Sequence, residues 1–591
     1  MYLLCIVFYG IIYHCIQLIN GTCSPPSDYT LRYAVVEKGN SLQTRQLQKS
    51  SNLKIIIFYT SYFNQLNDSN VIKTKIIFPA VKFWQNSLKV RNASSDLFYV
   101  QRYCEDNSYY YFRNNGTKYC DRSQCRRTEK CQNVDIPIEY MSECYQKVSG
   151  HLTLRYNKGK GLSRNSYLLI VDSQNKGSCY SGVTNAFAGA CITDPNTDRP
   201  LIGYVNFCPL KTSMKYPRNR VLLGTAKHEI AHALGFARQH FAFMRERDGT
   251  PRTERDPTTK KPLHQDQYGI YTPSDKTVKE INRTWVSAVG TYYKVFASFV
   301  TESLLKEAKK HFGCPSLDGV DLEDEGGSGS KNSHFKGRLF ATELMASNIE
   351  IDAYASRVTF AFFEDSGWYD VNYTRAEKWI YGKNLGCTFS MESCYAYANS
   401  ERSKKKSILP YCDQPRIVTC RDDFSYGVCD IGRYNHPLPP EDQFFDKTSF
   451  AGSDADHYGG TDSFKNKCPT IGYLLQLGQL NVTSFCTHDE NNKIADSESN
   501  FYLQSFAKNA ICVKHAGSWT YEHGGYIYSL DQNIKGTCHK YICKEKKLIV
   551  DFKGSRVTCP QSGGKHHFTF NHTGKLYRGS IECPLANRFC K

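Results

Sequence analysis

Long hydrophobic runs are scarce in this 591-residue sequence. Beyond residue 20 none approaches the roughly 18 apolar residues that a membrane span requires, so no spanning helix is expected in the body of the chain. The C-terminal stretch ECPLANRFCK also lacks the apolar tail needed for lipid-anchor exchange, and no stable membrane anchor is expected. There are no tight Cys-x-x-Cys pairs, which argues against structural zinc modules, and no internal repeat, which argues against solenoids. Negative charge is in deficit: 57 Asp and Glu face 75 Lys and Arg, a formal net charge of +18. That excess favours acidic surfaces such as matrix glycans or anionic lipid headgroups. The basic residues are dispersed, ERSKKKS at 401–407 being the densest run and reading as a solvated loop, so no nucleic-acid partner is expected.

Cysteine is abundant instead. Twenty-five cysteines run from Cys5 to Cys590, a number that implies disulfides and an oxidising compartment. Eight Asn-x-Ser/Thr sequons, at Asn20, Asn67, Asn92, Asn115, Asn282, Asn372, Asn481 and Asn571, agree with export and glycosylation. The first twenty residues form an apolar stretch of signal-peptide length, although they lack a basic start and carry Tyr13 and His14. A secreted, extracellular protein is expected, with residues 1–21 as signal peptide.

The length calls for several domains. Residues 22–52 are polar and aperiodic, with basic Arg45 and Lys49, as in a short removable prosegment. Ile77, Val81, Trp84 and Leu88 recur at helical spacing around Pro79, which suits a first helical turn. SYLLIVD (166–172) and IGYVNF (202–207) read as neighbouring strands. From Asn219, the residues Leu222, Ala226, Ile230, Ala231 and Leu234 make a helix apolar on most sides and therefore buried, which Gly235 can end with a positive φ. A later helix fits Phe296, Phe299, Val300, Leu304, Leu305, Ala308 and Phe312. The acidic, glycine-rich stretch 317–333 reads as a solvated loop without the ligand spacing of a calcium site. Thirteen cysteines lie from Cys387 onward among short β-like stretches, as in a separately stapled, mainly non-helical domain.

Chemistry enters at TAKHEIAHALGFARQH, residues 225–240. Positions i and i+4 share one helix face, so His228 and His232 can direct imidazole nitrogens at one ion, and zinc suits such a pair. Glu229, beside them, can take a proton from an attacking water and pass it to a leaving amine. Two imidazoles and a carboxylate inside a buried apolar helix are costly without partners, and a metal supplies one. The third ligand is not adjacent. Gly235 is in place, but three residues later stands Arg238, whose cation cannot bind zinc, and His240 is two residues too late. A donor from further along is required. His334 and Glu343 are the candidates, and His334 taken alone reads as a surface histidine.

HEIAHALGF, GYVNFCP, SHFKGRLFATELM, FFEDSGWYDVNY at 362–373 and GKNLGCTFSMESC at 382–394 resemble the leishmanolysin-type metallopeptidases, including the invadolysins, from about residue 53 to the C-terminus. The resemblance implies one Zn²⁺ per chain held by His228, His232 and His334, with Glu229 as catalytic base and Met345 in a Met-turn whose role is mostly packing. It also implies an α+β, metzincin-like catalytic domain with a long insertion, followed by the cysteine-rich, mainly β or irregular C-terminal domain. The domains expected are an N-terminal catalytic subdomain with the zinc helix (53–236), a central subdomain with the third ligand and Met-turn (237–386), and the cysteine-rich region (387–591). Family members are made as precursors whose prosegment cysteine blocks the zinc. Here Cys23, in NGTCSPP, lacks the usual flanking histidines. Removing Cys5, Cys15 and Cys23 leaves 22 cysteines, enough for eleven bridges, which marks Cys23 as the candidate switch.

The expected function is a secreted zinc endopeptidase acting on protein and peptide substrates, extracellular matrix or host proteins among them. Its rival is an inactive adhesion or matrix-binding glycoprotein that keeps the peptidase scaffold. The presence of Glu229 and all three histidines argues against the rival.

Overall fold

All seven residues of Ser166–Asp172 are buried, because this strand lies inside a sheet covered on both faces. The computed structural model describes residues 31–37, 50–91, 96–108, 110–111, 118–181, 184–327, 330–348, 350–421, 423–472, 483–496 and 500–590. The expected signal peptide, Cys23 and the sequons at Asn20, Asn92, Asn115 and Asn481 lie outside them.

The sheet contains β1 (Arg32–Tyr33), β2 (Lys54–Tyr59), β3 (Ser166–Asp172), β4 (Ala186–Thr193) and β5 (Pro200–Phe207), in the order β1-β4-β5-β3-β2. β2, β3 and β5 are mutually parallel, and β4 runs antiparallel to β5. Alternation along β3 divides the interior. Tyr167, Leu169 and Val171 join the main core, while Leu168 and Ile170 face a second core with Phe98, Val100, Ile136 and Met141.

Two helices cover the first face. α1 (Phe78–Ser87) carries Pro79 in its first turn, and α2 (Arg218–Ala233) buries every residue from Gly224 onward. Trp84 Nε1 of α1 donates to Lys227 O of α2 at 2.9 Å. From the sheet, the Tyr167 hydroxyl donates to Ala233 O at 2.6 Å. A side chain at position 203 would block this: a Cβ on Gly203 would fall 1.9 Å from that hydroxyl. The sheet thus fixes the end of the helix that carries the histidine motif.

Residues 31–37 lie within the expected prosegment, yet they are folded into the body. β1 pairs with β4, and the Tyr33 hydroxyl donates to Asp198 Oδ1 at 2.8 Å. Arg245 and Arg255 hold the same carboxylate at 2.7 and 3.3 Å. A cleavage releasing all of residues 22–52 would break these contacts.

The later helix is shorter than its apolar spacing suggested. Phe296 and Phe299 belong to β7 (Thr291–Phe299), paired antiparallel with β6 (Val278–Val286), and α3 covers only Glu302–Phe312. Phe296 and Ser298 are buried with the period of a strand, while Phe296 and Phe299 happen to stand at i, i+3 as in a helix, and long-range pairing decides between the two. The acidic stretch is also not a solvated loop. Val320 and Asp321 pair with β7, and Leu317, Leu322 and Glu323 are buried.

Cys104 to Cys590 form eleven disulfides, accounting for all 22 cysteines of that span. Cys314–Cys387 and Cys394–Cys468 tie the region beyond residue 387 to what precedes it and to itself. Phe389, Tyr397, Tyr411 and Phe445 belong to the main core. Further on, an eight-stranded antiparallel sheet, seven strands in one path and the eighth paired beside it, encloses a separate core with Ile511, Trp519, Val550, Phe552 and Phe568. Among the described residues no helix is long and apolar enough to cross a membrane. The described sequon asparagines, Asn67, Asn282, Asn372 and Asn571, are all exposed.

His311 of α3 lies flat on Trp379, with ring centroids 3.7 Å apart, and its Nε2 donates to Tyr381 O at 2.8 Å. Burial pushes its pKa from 6.5 down to about 4. Between those values the unfolded chain binds a proton that the folded chain refuses. Its contribution is therefore complete above pH 6.5 and is lost as the pH falls towards 4. His311→Phe, which keeps the stack, should reduce the stability lost between neutral pH and pH 4 by about 3 kcal/mol. Urea unfolding across that range checks it.

Candidate metal centre

The site is built from one helix and one loop. His228 and His232, one turn apart on α2, face His334, which sits between the acidic segment and the short helix Gly337–Phe340. The three side chains are 0%, 3% and 0% exposed. Their Nε2 atoms form a triangle with edges of 2.9, 3.0 and 3.3 Å.

The other ring nitrogens explain this geometry. His228 Nδ1 meets Leu344 O at 2.5 Å, His334 Nδ1 meets Ser330 O at 3.3 Å, and His232 Nδ1 meets Phe236 O. A carbonyl oxygen only accepts, so each Nδ1 carries the hydrogen and each Nε2 is left with a bare lone pair. Burial and the neighbouring imidazoles push the pKa of His334 down to about 3 and those of His228 and His232 well below 6.5. No proton is available to bridge them. Three lone pairs aimed at one point in a dry interior repel one another unless a cation lies among them. The edges also match the spread of three nitrogens each roughly 2.0–2.1 Å from a common zinc, so the residues fit the metal. Among the described residues the other metal-capable grouping, Cys120, Cys125 and Cys144, is taken up by disulfides.

Gly235 has φ +126° directly after α2, and a Cβ there would lie 2.5 Å from Trp368. The turn lets Phe236 O fold back onto His232. Glu229 is fully buried next to His228. Met345 is also fully buried, and its carbonyl accepts from Phe335 N at 2.9 Å, while the preceding Leu344 O orients His228. The methionine segment thus holds two of the three ligand-bearing stretches in place.

The alternative donor, Glu343, is not in the histidine cluster. Its carboxylate accepts from Met345 N at 2.6 Å, Ser356 N at 3.0 Å, Ser356 Oγ at 2.8 Å and Thr359 Oγ1 at 2.6 Å. Arg238 pairs with Asp266 at 2.6 Å, and His240 is buried outside the cluster.

The sequence reading missed what supports His334. Glu323 N donates to His334 O at 2.9 Å. The Glu323 carboxylate accepts from Lys336 Nζ at 2.7 Å, Gly337 N at 2.9 Å and Ser347 Oγ at 2.6 Å. Asp324 is a second partner for Lys336, which is 1% exposed. The signal was present in VDLE, residues 320–323, whose alternation of apolar and acidic residues has the period of a half-buried strand.

The family model described as leishmanolysin matches residues 155–591. The chain belongs to the leishmanolysin family. A leishmanolysin-like peptidase of Drosophila pseudoobscura pseudoobscura is 30% identical over 93% of this chain and 82% of its own length. One of Caenorhabditis elegans is 29% identical over 92% and 84%. A leishmanolysin homolog of Crithidia fasciculata is 31% identical over 56% of this chain and 41% of its own. Leishmanolysins are zinc metalloendopeptidases, and the mixed helix-and-sheet architecture with many disulfides is consistent with that fold.

Proposed function

We propose that this leishmanolysin-family protein is a secreted zinc endopeptidase that cleaves extracellular proteins, with His228, His232 and His334 as its metal ligands and Glu229 as its general base. The observation that carries this reading is the triangle of Nε2 atoms within 3.3 Å of one another. A bound zinc supplies Lewis acidity, which polarises a carbonyl and makes water more acidic. The chain's own residues do the rest. Backbone carbonyls at 236, 330 and 344 fix the three rings, and no ring needs to reorient on binding. Glu229 removes a proton from the attacking water and delivers it to the leaving amine nitrogen. Met345 packs beneath the ligands, and Cys23 is the proposed inhibitory thiol of the precursor.

Eleven disulfides and exposed sequons support an extracellular setting. An inactive adhesion protein would not need to preserve Glu229 and all three histidines in this arrangement. Chelator treatment should abolish casein cleavage, and stoichiometric zinc should restore it. Cleavage that survives complete metal removal would sink the proposal.

A further inference from the structure

The terminal strand of the C-terminal sheet is made of residues that sheet edges usually avoid. β8 (Thr520–His523) and β9 (Tyr526–Ser529) form a hairpin across Gly524 and Gly525, whose φ values of +59° and +81° suit a type I′ turn. Tyr526, Ile527 and Tyr528 are 71%, 66% and 43% exposed, so the hairpin is bare on both faces. Among the described residues no strand pairs with the outer edge of β9, and no lysine, proline or bulge blunts it.

The rings continue from the core to this edge. Tyr577, on β11 (Lys575–Cys583, paired with β10, Gly564–His572), lies 5.7 Å from Tyr521, which stacks on Tyr528 at 4.9 Å and Phe501 at 5.9 Å. Cations crowd the same end. Lys575 Nζ lies 5.5 and 5.2 Å from the Phe501 and Tyr521 ring centroids. The two hairpin tips meet where His523 Nδ1 donates to Gly574 O at 3.3 Å. Burial first, and then the charges of Lys553 and Lys575, lower the pKa of His572 there. Residues 501–591 contain fourteen Lys and Arg against five Asp and Glu, which is half of the chain's +18.

We propose that this end of the C-terminal domain docks on an anionic membrane surface, with Tyr526, Ile527 and Tyr528 entering the boundary between headgroups and acyl chains and Lys553 and Lys575 facing anionic headgroups. Tyrosines favour that interface, and lysines beside them add attraction that salt screens. Ile527 decides between anionic partners: a sulfated glycan has no apolar phase to receive an exposed aliphatic side chain, whereas a bilayer does. A second copy of the chain is disfavoured by like charge.

Another exposed pair, Tyr293 and Val295 at 81% and 53%, differs in one respect: Val295 sits directly opposite the sequon Asn282, where a glycan would cover it. The C-terminal sequon Asn571 is three strands removed from β9. It faces away from the ring ladder, because its neighbour Phe570 packs on Tyr577 within that ladder. It shares the Ile527 face at a distance of three strands, roughly 14 Å, whereas Asn282 is the immediate cross-strand neighbour of Val295.

The test is sedimentation of the full-length protein with phosphatidylcholine vesicles, with and without phosphatidylserine. Wild type should bind the anionic vesicles roughly tenfold or more tightly than the neutral ones. Ile527→Asp with Tyr526→Ser should lose that binding yet keep its thermal midpoint and its casein cleavage in solution. Lys553→Glu with Lys575→Glu should erase the preference for anionic lipid. Wild type that ignores vesicles, or hairpin variants that bind as wild type does, overturns the proposal. Retention on immobilised heparin without vesicle binding replaces the membrane with a sulfated glycan. Vesicle binding is read without peptide hydrolysis, so failure here leaves the metal-centre reading untouched.

Discussion

Glu229→Ala should cut peptide hydrolysis by about 10²–10⁴-fold while leaving a folded, zinc-loaded protein, because positioned proton transfer contributes that much to a rate. The argument rests on location. Glu229 is fully buried on α2, one residue after His228, on a helix whose end is fixed by the Tyr167 hydroxyl and whose middle is held by Trp84. Its carboxylate is not part of the three-histidine grouping, and the proposed role asks it to carry a proton and not to hold the metal. Zinc content, the thermal midpoint and kcat on a casein-derived peptide should be measured together. Activity within tenfold of wild type would remove Glu229 from the reaction, whereas loss of zinc would make it a ligand.

Lys336→Met should be the most damaging single change away from the histidines. Lys336 and Glu323 are 1% and 0% exposed and meet at 2.7 Å. Removing the cation strands a carboxylate in the interior, at a cost of about 3–5 kcal/mol. The paired change Lys336→Met with Glu323→Gln should recover part of this, since the fully buried Glu323 charge is gone and only the more exposed Asp324 is left without its cation. The damage should also reach the site, because the Glu323 backbone holds His334 and its carboxylate ties that loop to Ser347. Zinc affinity of the single variant should therefore fall with its stability. Wild-type unfolding and zinc retention in Lys336→Met would show that the pair is dispensable.

The sequence made the local features legible and the long-range ones much less so. The strands at 166–172 and 202–207, the helix around Trp84 and the histidine helix ending at Gly235 follow from short-range periodicity and glycine geometry. His228 and His232 could be paired from spacing alone, because the helix dictates their common face. His334 could not: it comes from a loop 102 residues beyond His232, and only the family motifs distinguished it from a surface histidine. The error at Phe296 and Phe299 has the same origin, since pairing with β6 overrides a helix-like spacing that α3 alone would have continued. The acidic stretch misled because carboxylates suggest solvent, whereas here Arg283 holds Asp318 and Asp321 at 2.9 and 2.8 Å and Lys336 holds Glu323. Partners remote in sequence are invisible to composition. The cysteine count fared better, because parity is a global property: setting aside three N-terminal cysteines left the number that forms eleven bridges.

The central claim is that three histidines, two from one helix and one from a distant loop, hold a single zinc. Its most direct measurement is the zinc content of purified wild type and His334→Ala after exhaustive dialysis against metal-free buffer, with circular dichroism confirming that both are folded. The account predicts one zinc per wild-type chain and far less than one in the variant. A wild type that retains no zinc, or a folded His334→Ala protein that retains it as firmly as wild type, would contradict it.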